Sequence, residues 1–302
     1  MTGPSVHLDW KSAGFELEPV AGRVGPFPRA PFLETWAGHR ANGAVEIVEG
    51  SDALMVLHVV DGVVEFAGDE NLTDYHSPLG EGSSELLASY ASGRAGRYSF
   101  DSLPCEAAEH VEKGLTLAGL VPRCEQHEAA AVLELADSWE GVMESLDKKQ
   151  RHELRRKRRR FDEQVGAPVL ERRQGDDAVA AFSDLHRSAG GDKARFMTKE
   201  MEAFFAALHR DAGGVIDFLV AGGRHIAAAF GFEDQDTYYL YNSGFDTAHA
   251  GASPGIVLVE LLMRQAVSSG RDRFDFLKGE ETYKFRLGAS ARPLYRVAAE
   301  AS

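Results

Sequence analysis

Between Val215 and Leu277 the hydrophobic periodicity changes twice, and few folds accommodate both changes. Three short runs, Val215 to Val220, His225 to Phe232 and Thr237 to Asn242, are separated by Gly222-Gly223 and by Asp234-Gln235-Asp236. Apolar runs of that length divided by turn residues read as an antiparallel meander. A small-residue loop then leads into an apolar helix pattern, Pro254 to Ser268, closed by Gly270; glycine just past the last turn is a common helix stop. A fourth run, Arg273 to Leu277, follows. A strand, a crossover helix and a further strand imply a parallel pair. The expected class is α/β (α+β), a mixed, mostly antiparallel sheet flanked by helices.

The first half repeats this order. Val45 to Val48, Leu54 to Val59 and Val63 to Ala67 are divided by Gly50-Ser51-Asp52 and by the hairpin signal Asp61-Gly62. A helix from Ser84 to Arg94, a strand from Arg97 to Phe100 and a helix from Pro104 to near Gly119 follow, then two short strands, Arg123 to His127 and Ala131 to Leu135. Gly68 stands nine residues before Ser77-Pro78, as Gly244 stands nine before Ser253-Pro254, and Asp69 and Asp246 sit just after the two glycines. A repeated element order with matched spacing implies a duplicated domain. The expected division is a first domain over 1–136, a linker helix over 137–165 and a second domain over 166–302. The Pro- and Gly-rich segment before Arg40 reads as an irregular arm that ends in a helix near Phe32. Trp139 to Gln164 reads as one long helix. Asp177 to Ala189 and a helix N-capped by Thr198, with Met201, Phe204, Phe205 and Leu208 on one stripe, open the second half.

Composition narrows the function. Apolar content of 44% and charged content of 26% suit a soluble globular chain. Met1 to Gly14 has no secretory apolar region, and no run approaches the ~18 apolar residues of a membrane span. Cys105 and Cys124 form no CxxC pair and no His/Cys cluster has metal spacing, so reduced thiols in a cytoplasm and no metal are expected. Abundant Ala and Arg suggest a bacterial coding sequence. The net charge of −14 disfavours general attraction to nucleic acid or anionic lipid. Lys148 to Arg160, however, holds nine Lys/Arg and one Glu. Its face suits solvent and acidic neighbours, the phosphates of coenzyme A, a carrier protein, or tRNA, although no aromatic side chain interleaves with it to stack bases.

The chemistry concentrates in the last third of the chain. In the loop AGASPGI, Gly251, Ser253, Pro254, Gly255 and Ile256 lead into a helix, with Ser253 at the N-cap and Pro254 at the first helical position. Such a start exposes backbone N–H groups and the positive end of the helix dipole, which suits phosphate or pyrophosphate; a plain Ser-Pro cap is the alternative. Asp275 points away from Phe274 and Phe276 on its strand. It is a candidate general base or amine-positioning group, or else a strand-end carboxylate in a turn. Glu280 and Glu281 are alternates. Tyr283 and Tyr241 are candidate acids for a leaving thiolate. Arg195, near His186 and Phe196, could take an anionic acceptor.

The run from Tyr238 to Leu287 resembles the GNAT subfamily described as cellulose-biosynthesis-type acetyltransferases, relatives of the Fem-type peptidyltransferases. The matching residues are Tyr239-Leu240-Tyr241, Asp246, Ser253-Pro254-Gly255, Gly270, Phe274 to Leu277, Gly279 and Tyr283-Lys284, with Phe66 to Asp69 and Thr73-Asp74-Tyr75 in the first half. The resemblance implies two tandem GNAT-like (acyl-CoA N-acyltransferase) domains with the intact donor site in the second, where two parallel strands splay and a helix N-terminus takes the pyrophosphate. It implies that Lys284 sits by donor or acceptor phosphate and carbonyl groups, and that Asp74, Tyr75 and Asp246 border the acceptor. The expected activity is transfer of an acyl group from acyl-CoA, acetyl-CoA first, to a small-molecule amine by direct attack. A Fem-like transfer from aminoacyl-tRNA and a non-catalytic interaction module are the alternatives.

Overall fold

The computed structural model describes residues 5–7, 10 and 13–301, apart from the side chains of His7, Asp192 and Lys193. Of the expected arm, residues 1–4, 8–9 and 11–12 lie outside the described residues. The chain divides into two compact units, Met1–Ala130 with Arg292–Ser302, and Ala131–Ala291.

The first unit holds β1 (Ser5–His7), α1 (Ala30–Arg40), β2 (Ala44–Glu49), β3 (Leu54–Val60), β4 (Val63–Phe66), α2 (Ser83–Ala91), β5 (Gly96–Leu103), α3 (Cys105–Leu117) and the start of β6 (Arg123–Glu134). The second holds α4 (Trp139–Ser145), α5 (Lys148–Gln164), β7 (Val169–Arg173), α6 (Asp176–Ser188), α7 (Gly191–Phe196), α8 (Lys199–Asp211), β8 (Val215–Ala221), β9 (Arg224–Glu233), β10 (Thr237–Phe245), α9 (Pro254–Ser268), β11 (Arg273–Lys278) and α10 (Thr282–Arg286). The last strand, β12 (Ser290–Ala301), returns to the first unit and pairs antiparallel with β5, Tyr295 opposite Leu103.

Both halves contain the expected meander and crossover. In the first unit β2, β3 and β4 run antiparallel, and β4 then pairs in parallel with β5 at Val63↔Arg97 and Val64↔Tyr98. In the second unit β7 to β10 run antiparallel in sequence, and β10 pairs in parallel with β11. The two halves share one plan, an α/β arrangement of mixed sheet and flanking helices.

Two sequence expectations are corrected. Arg123 to Leu135 forms one strand, β6, rather than two. The long helix expected over Trp139 to Gln164 is two helices, because Asp147 starts a new one: its side chain accepts the Gln150 N–H at 2.8 Å while the Gln150 side chain accepts the Asp147 N–H at 2.8 Å. This reciprocal capping box satisfies two donors and stops α4 at Ser145.

The two copies differ at the start of the crossover helix. In the second unit Pro254 is the first residue of α9. In the first unit α2 begins only at Ser83, and the arm lies over the intervening loop. Val20 N–H donates to Pro78 O at 3.1 Å, Ala21 N–H to Ser77 Oγ at 3.2 Å, and Gly80 N–H to Glu18 O at 2.8 Å. His76 N–H bonds Ser102 O at 3.0 Å, tying the loop to the end of β5. The loop between β4 and α2 is thus held by the arm and by the end of β5.

The second unit's sheet is covered on both faces. Tyr238, Leu240, Phe274 and Phe276 pack with α9, and Leu154 and Phe161 of α5 join the same cluster. On the other face Phe182, Phe205 and Phe230 meet at centroid distances of 4.8 to 5.8 Å; burying such a ring contributes about 2–3 kcal/mol. Gly244 lets α6 approach β10 directly, since a Cβ there would stand 2.6 Å from His186 Cα.

Candidate functional site

The parallel ladder between β10 and β11 has three rungs, Thr237↔Arg273, Tyr238↔Phe274 and Tyr239↔Asp275. β10 continues to Phe245 and β11 to Lys278 without further rungs between them. Local features turn both strands. On β10 the register against β9 shifts between Leu240 and Asn242, so Tyr241 is the extra residue of a bulge, which bends a strand and re-aims its side chains. On β11 Leu277 adopts φ 61, a left-handed conformation costly for a branched residue. Asp275 Oδ1 stabilises that bend by accepting the Leu277 N–H at 2.8 Å.

Beside the splay, α9 starts with Ser253 in the left-handed region, φ 59 and ψ 49, and no side chain caps the first turn. Ser253 occupies the expected N-cap position, but its hydroxyl does not serve the helix; it also closes the 3₁₀ turn Thr247–Ala252. Pro254 has no N–H, so Gly255 and Ile256 carry the first donors, and that of Ile256 bonds back to Ser253 O at 3.1 Å. The positive end of α9 therefore opens without a side-chain acceptor in front of it. Gly251 O accepts from Arg160 Nη1 of α5 at 3.2 Å, which pins the loop to the basic helix.

A cavity of ≈ 580 Å³ lies against the start of α9, between α5 and α10. Lys149, His152 and Lys157 of α5, Ile256 of α9, and Tyr283 and Arg286 of α10 line it. Burial, and then the Glu281 carboxylate, push the Tyr283 phenol well above the usual tyrosine range. The phenol therefore stays protonated at neutral pH. Its ring stands edge-on to Phe276 at 6.3 Å.

The remaining sequence candidates are spread more widely. Asp275 is fully buried. Lys284 is buried at 3% exposure; its Nζ donates to Lys278 O at 2.6 Å, Gly279 O at 3.1 Å and Leu277 O at 3.3 Å, and pairs with Glu281 at 2.9 Å. A lysine has three N–H donors, so Lys284 is fully engaged in holding the β11–α10 turn. Its acidic partner is Glu281; Glu280 is exposed. Tyr241 packs on Phe205 and Phe232 at 5.6 and 5.3 Å, on the face away from Tyr283. Asp246 caps the 3₁₀ turn, its Oδ1 accepting Ala248 N–H at 2.9 Å, and pairs with His249 at 3.0 Å. Arg195 is exposed on α7.

In the first unit Tyr75 is fully buried against Phe27, with the Arg292 guanidinium 5.0 Å from its ring centroid, while Asp74 is partly exposed. Cys105 and Cys124 are exposed free thiols. Desolvation first, with nearby acids, pushes both thiols up, away from nucleophilic activation. Among the described residues one group, Glu70, His127 and Glu128, has metal-ligand atoms within 4.8 Å of one another. Arg296 already places a guanidinium 3.2 Å from Glu70 and 2.9 Å from His127.

The residues missed at sequence level are Lys149, His152, Gln150 and Arg286. The basic run was the signal for Lys149, Gln150 and His152; Arg286 lies outside it. Lys149, Gln150 and His152 are more than 100 positions from Ile256 in sequence, and only the packing of α5 on α9 and α10, with Gln150 Nε2 donating to Phe285 O at 3.2 Å, brings them together.

Residues 148–285 match the family described as acetyltransferase (GNAT) domain, a match over less than half of the chain. No curated protein matches. Three solved structures share the fold. A conserved protein of unknown function from Bacteroides thetaiotaomicron has a TM-score of 0.68 at 11% identity, with 95% of each chain covered. FemX has 0.62 at 10% identity, over 97% of this chain and 96% of its own. The C-terminal domain of a putative lysylphosphatidylglycerol synthetase from Agrobacterium fabrum has 0.59 at 12% identity, over 90% and 86%. The chain thus has the two-domain GNAT-like α/β fold, and its stretch 148–285 carries the likeness to the acetyltransferase domain.

Proposed function

We propose that the protein is an N-acyltransferase that moves an acyl group from acyl-CoA, acetyl-CoA foremost, to a small-molecule amine. The observation that carries this reading is the ending of the β10–β11 ladder at Tyr239↔Asp275 beside an α9 start that no side chain caps. A splayed parallel pair offers backbone groups to an extended pantetheine arm, and the helix start offers donors and positive potential to a pyrophosphate. Gly251, Ser253, Pro254, Gly255 and Ile256 form that binding loop.

In the reaction the amine nitrogen attacks the thioester carbonyl carbon, the tetrahedral oxyanion collapses, and the carbon–sulfur bond breaks. The leaving thiolate takes a proton from Tyr283, whose phenol burial keeps protonated, and the proton that the amine nitrogen sheds on forming the amide returns to the Tyr283 oxygen through solvent. Asp275 acts as a positioning residue through its bond to Leu277 N–H, and Lys284 fixes the adjoining turn. Asp246 and Arg195 remain proposed acceptor contacts within the second unit.

Thiol release from acetyl-CoA with a panel of amines tests the reading. Release that depends on amine and falls in Tyr283→Phe supports it. Transfer from aminoacyl-tRNA in the absence of any acyl-CoA would instead favour a Fem-like donor, for which the fold likeness to FemX and the basic helix are the support.

A further inference from the structure

In the second unit α4 and α5 border a cleft of ≈ 730 Å³ that reaches down to α9. Met143, Leu154 and Glu260, all buried, form its floor. The charge on that floor is matched. Glu260 Oε1 accepts from Arg264 Nε at 2.9 Å and Nη2 at 2.8 Å, and Arg158 approaches its other oxygen at 3.6 Å. The Arg264 guanidinium also lies 4.4 Å from the Trp139 ring centroid. Several further cations of α5 are engaged away from the cleft, Arg156 and Lys157 by Glu153 and Arg160 by Gly251 O.

The walls show the opposite balance. Glu140 and Glu144 stand four residues apart on α4, Arg155 and Arg159 four apart on α5, and all four are exposed. That spacing puts each pair on one face of its helix. Among the described residues the carboxylates of Glu140 and Glu144 meet no cation and the Arg155 guanidinium meets no acid, although they line the same cleft. Arg159 has Glu163 at 3.8 Å, with both side chains about two-thirds exposed, and an ion pair so open to water contributes little. The cleft thus presents an acidic row and a basic row that do not meet each other. A polyanion such as RNA would be repelled by the first row. A small zwitterion would answer one charge of each sign and leave the second. A surface that carries both rows at the same spacing answers all four, and this cleft is itself such a surface.

We infer that the α4–α5 cleft is a self-complementary docking surface for a second copy of this chain. A two-fold axis along the cleft lays Glu140 and Glu144 of each copy on Arg155 and Arg159 of the other, so that one patch serves both sides. Charge leads the contact and Trp139 is the largest apolar group at its rim, so the association is weak and screened by salt. The cavity that holds Tyr283 is lined by a different face of α5, through Lys149, His152 and Lys157. The docking surface therefore stands apart from the proposed transfer chemistry and does not depend on it.

Sedimentation velocity of the full chain tests it. The unaltered protein is expected to sediment as two chains at about 0.05 M salt and as one chain at about 0.5 M. Glu140→Arg with Glu144→Arg, and separately Arg155→Glu with Arg159→Glu, are each expected to sediment as one chain at the lower salt, because like charges then face each other. An equimolar mixture of the two variants is expected to restore the two-chain species, since each reversed row meets its complement and each native row does too. Equal thermal unfolding midpoints verify the folds; where a reversed variant unfolds early, Glu140→Gln with Glu144→Gln decides instead, with self-association expected to weaken about tenfold or more. A single-chain species for the unaltered protein at every concentration, a two-chain species that survives either reversal, or a mixture that stays single-chain overturns the inference. A single-chain species together with poly-glutamate binding that the arginine reversal abolishes would assign the basic row to an acidic partner and overturn it as well.

Discussion

Tyr239 stands opposite Asp275 at the last rung of the parallel ladder, and two residues further on Leu277 turns into the left-handed region with its N–H held by Asp275 Oδ1 at 2.8 Å. The splay on the β11 side is therefore a local backbone device that one carboxylate maintains. Asp275→Ala is expected to cost about 1–3 kcal/mol, because it leaves a buried N–H without its acceptor. Asp275→Asn retains an Oδ1 acceptor and is expected to keep both the unfolding midpoint and kcat near those of the unaltered protein. A loss of about 10²-fold or more in kcat with an unchanged midpoint would make Asp275 the general base instead.

Lys284 joins the carbonyls of Leu277, Lys278 and Gly279 to the first turn of α10. Lys284→Met removes the cation and strands three acceptors, with an expected loss of about 1–3 kcal/mol in urea unfolding. Lys284→Arg is not expected to restore it, because a planar fork cannot aim at three converging carbonyls as a compact ammonium does. Full stability in Lys284→Met would show that the carbonyl contacts contribute nothing.

Gly244 is the point where α6 rests on β10. Gly244→Ala forces a Cβ to within 2.6 Å of His186 Cα, a backbone neighbour that cannot rotate away. The expected destabilisation is about 1–3 kcal/mol, with loss of the His186–Asn242 bond of 2.9 Å. Gly255→Ala serves as contrast, since its Cβ would meet only the Phe245 ring at 3.6 Å; a comparable loss in both would show that close packing is not the cause.

Burial raises the phenol pKa of Tyr283, Tyr239 and Tyr238 in the second unit and of Tyr90 in the first, with nearby carboxylates adding to each. A raised folded-state pKa contributes stability that is fully present below the unfolded value, about 10 for tyrosine, and is lost as pH rises from there through the folded value. Unfolding free energy is therefore expected to be flat in this respect up to about pH 9 and to fall above pH 10. Tyr283→Phe should make that fall shallower. Equal alkaline slopes in the two proteins would place the Tyr283 ionisation outside folding. Activity should likewise show no alkaline limb from Tyr283 below about pH 10.

Much of the plan was legible because it is local. Asp61-Gly62, Gly222-Gly223 and the Asp234 turn ended the strands where expected, and the apolar Pro254 to Ser268 pattern implied the crossover that makes β10 and β11 parallel. The break at Asp147 was written in the sequence as Asp147 and Gln150, three apart, but the basic periodicity running through it hid the capping box. Tyr283 was legible as a candidate acid from its place after β11, and its position on the cavity beside α9 depends on α10, whose five residues show no amphipathic period. β12 was not anticipated, since its pairing with β5 joins residues nearly two hundred positions apart, and no local pattern encodes a partner at that distance.

The sequence by itself determined the duplicated meander, the helix start at Ser253-Pro254-Gly255 and the residue types available to the site, because turns, caps and alternation depend on neighbours a few positions away. Tertiary structure alone decided what lies beyond the short parallel ladder in each copy. Glu18 to Ala21 fold over Ser77 to Gly80 in the first unit, while Leu277 and Tyr241 bend the strands in the second. It also decided that most cations of the basic helix find a partner and that Arg155 does not. Charge counts follow from composition, but which charges find a partner depends on where distant helices come to rest.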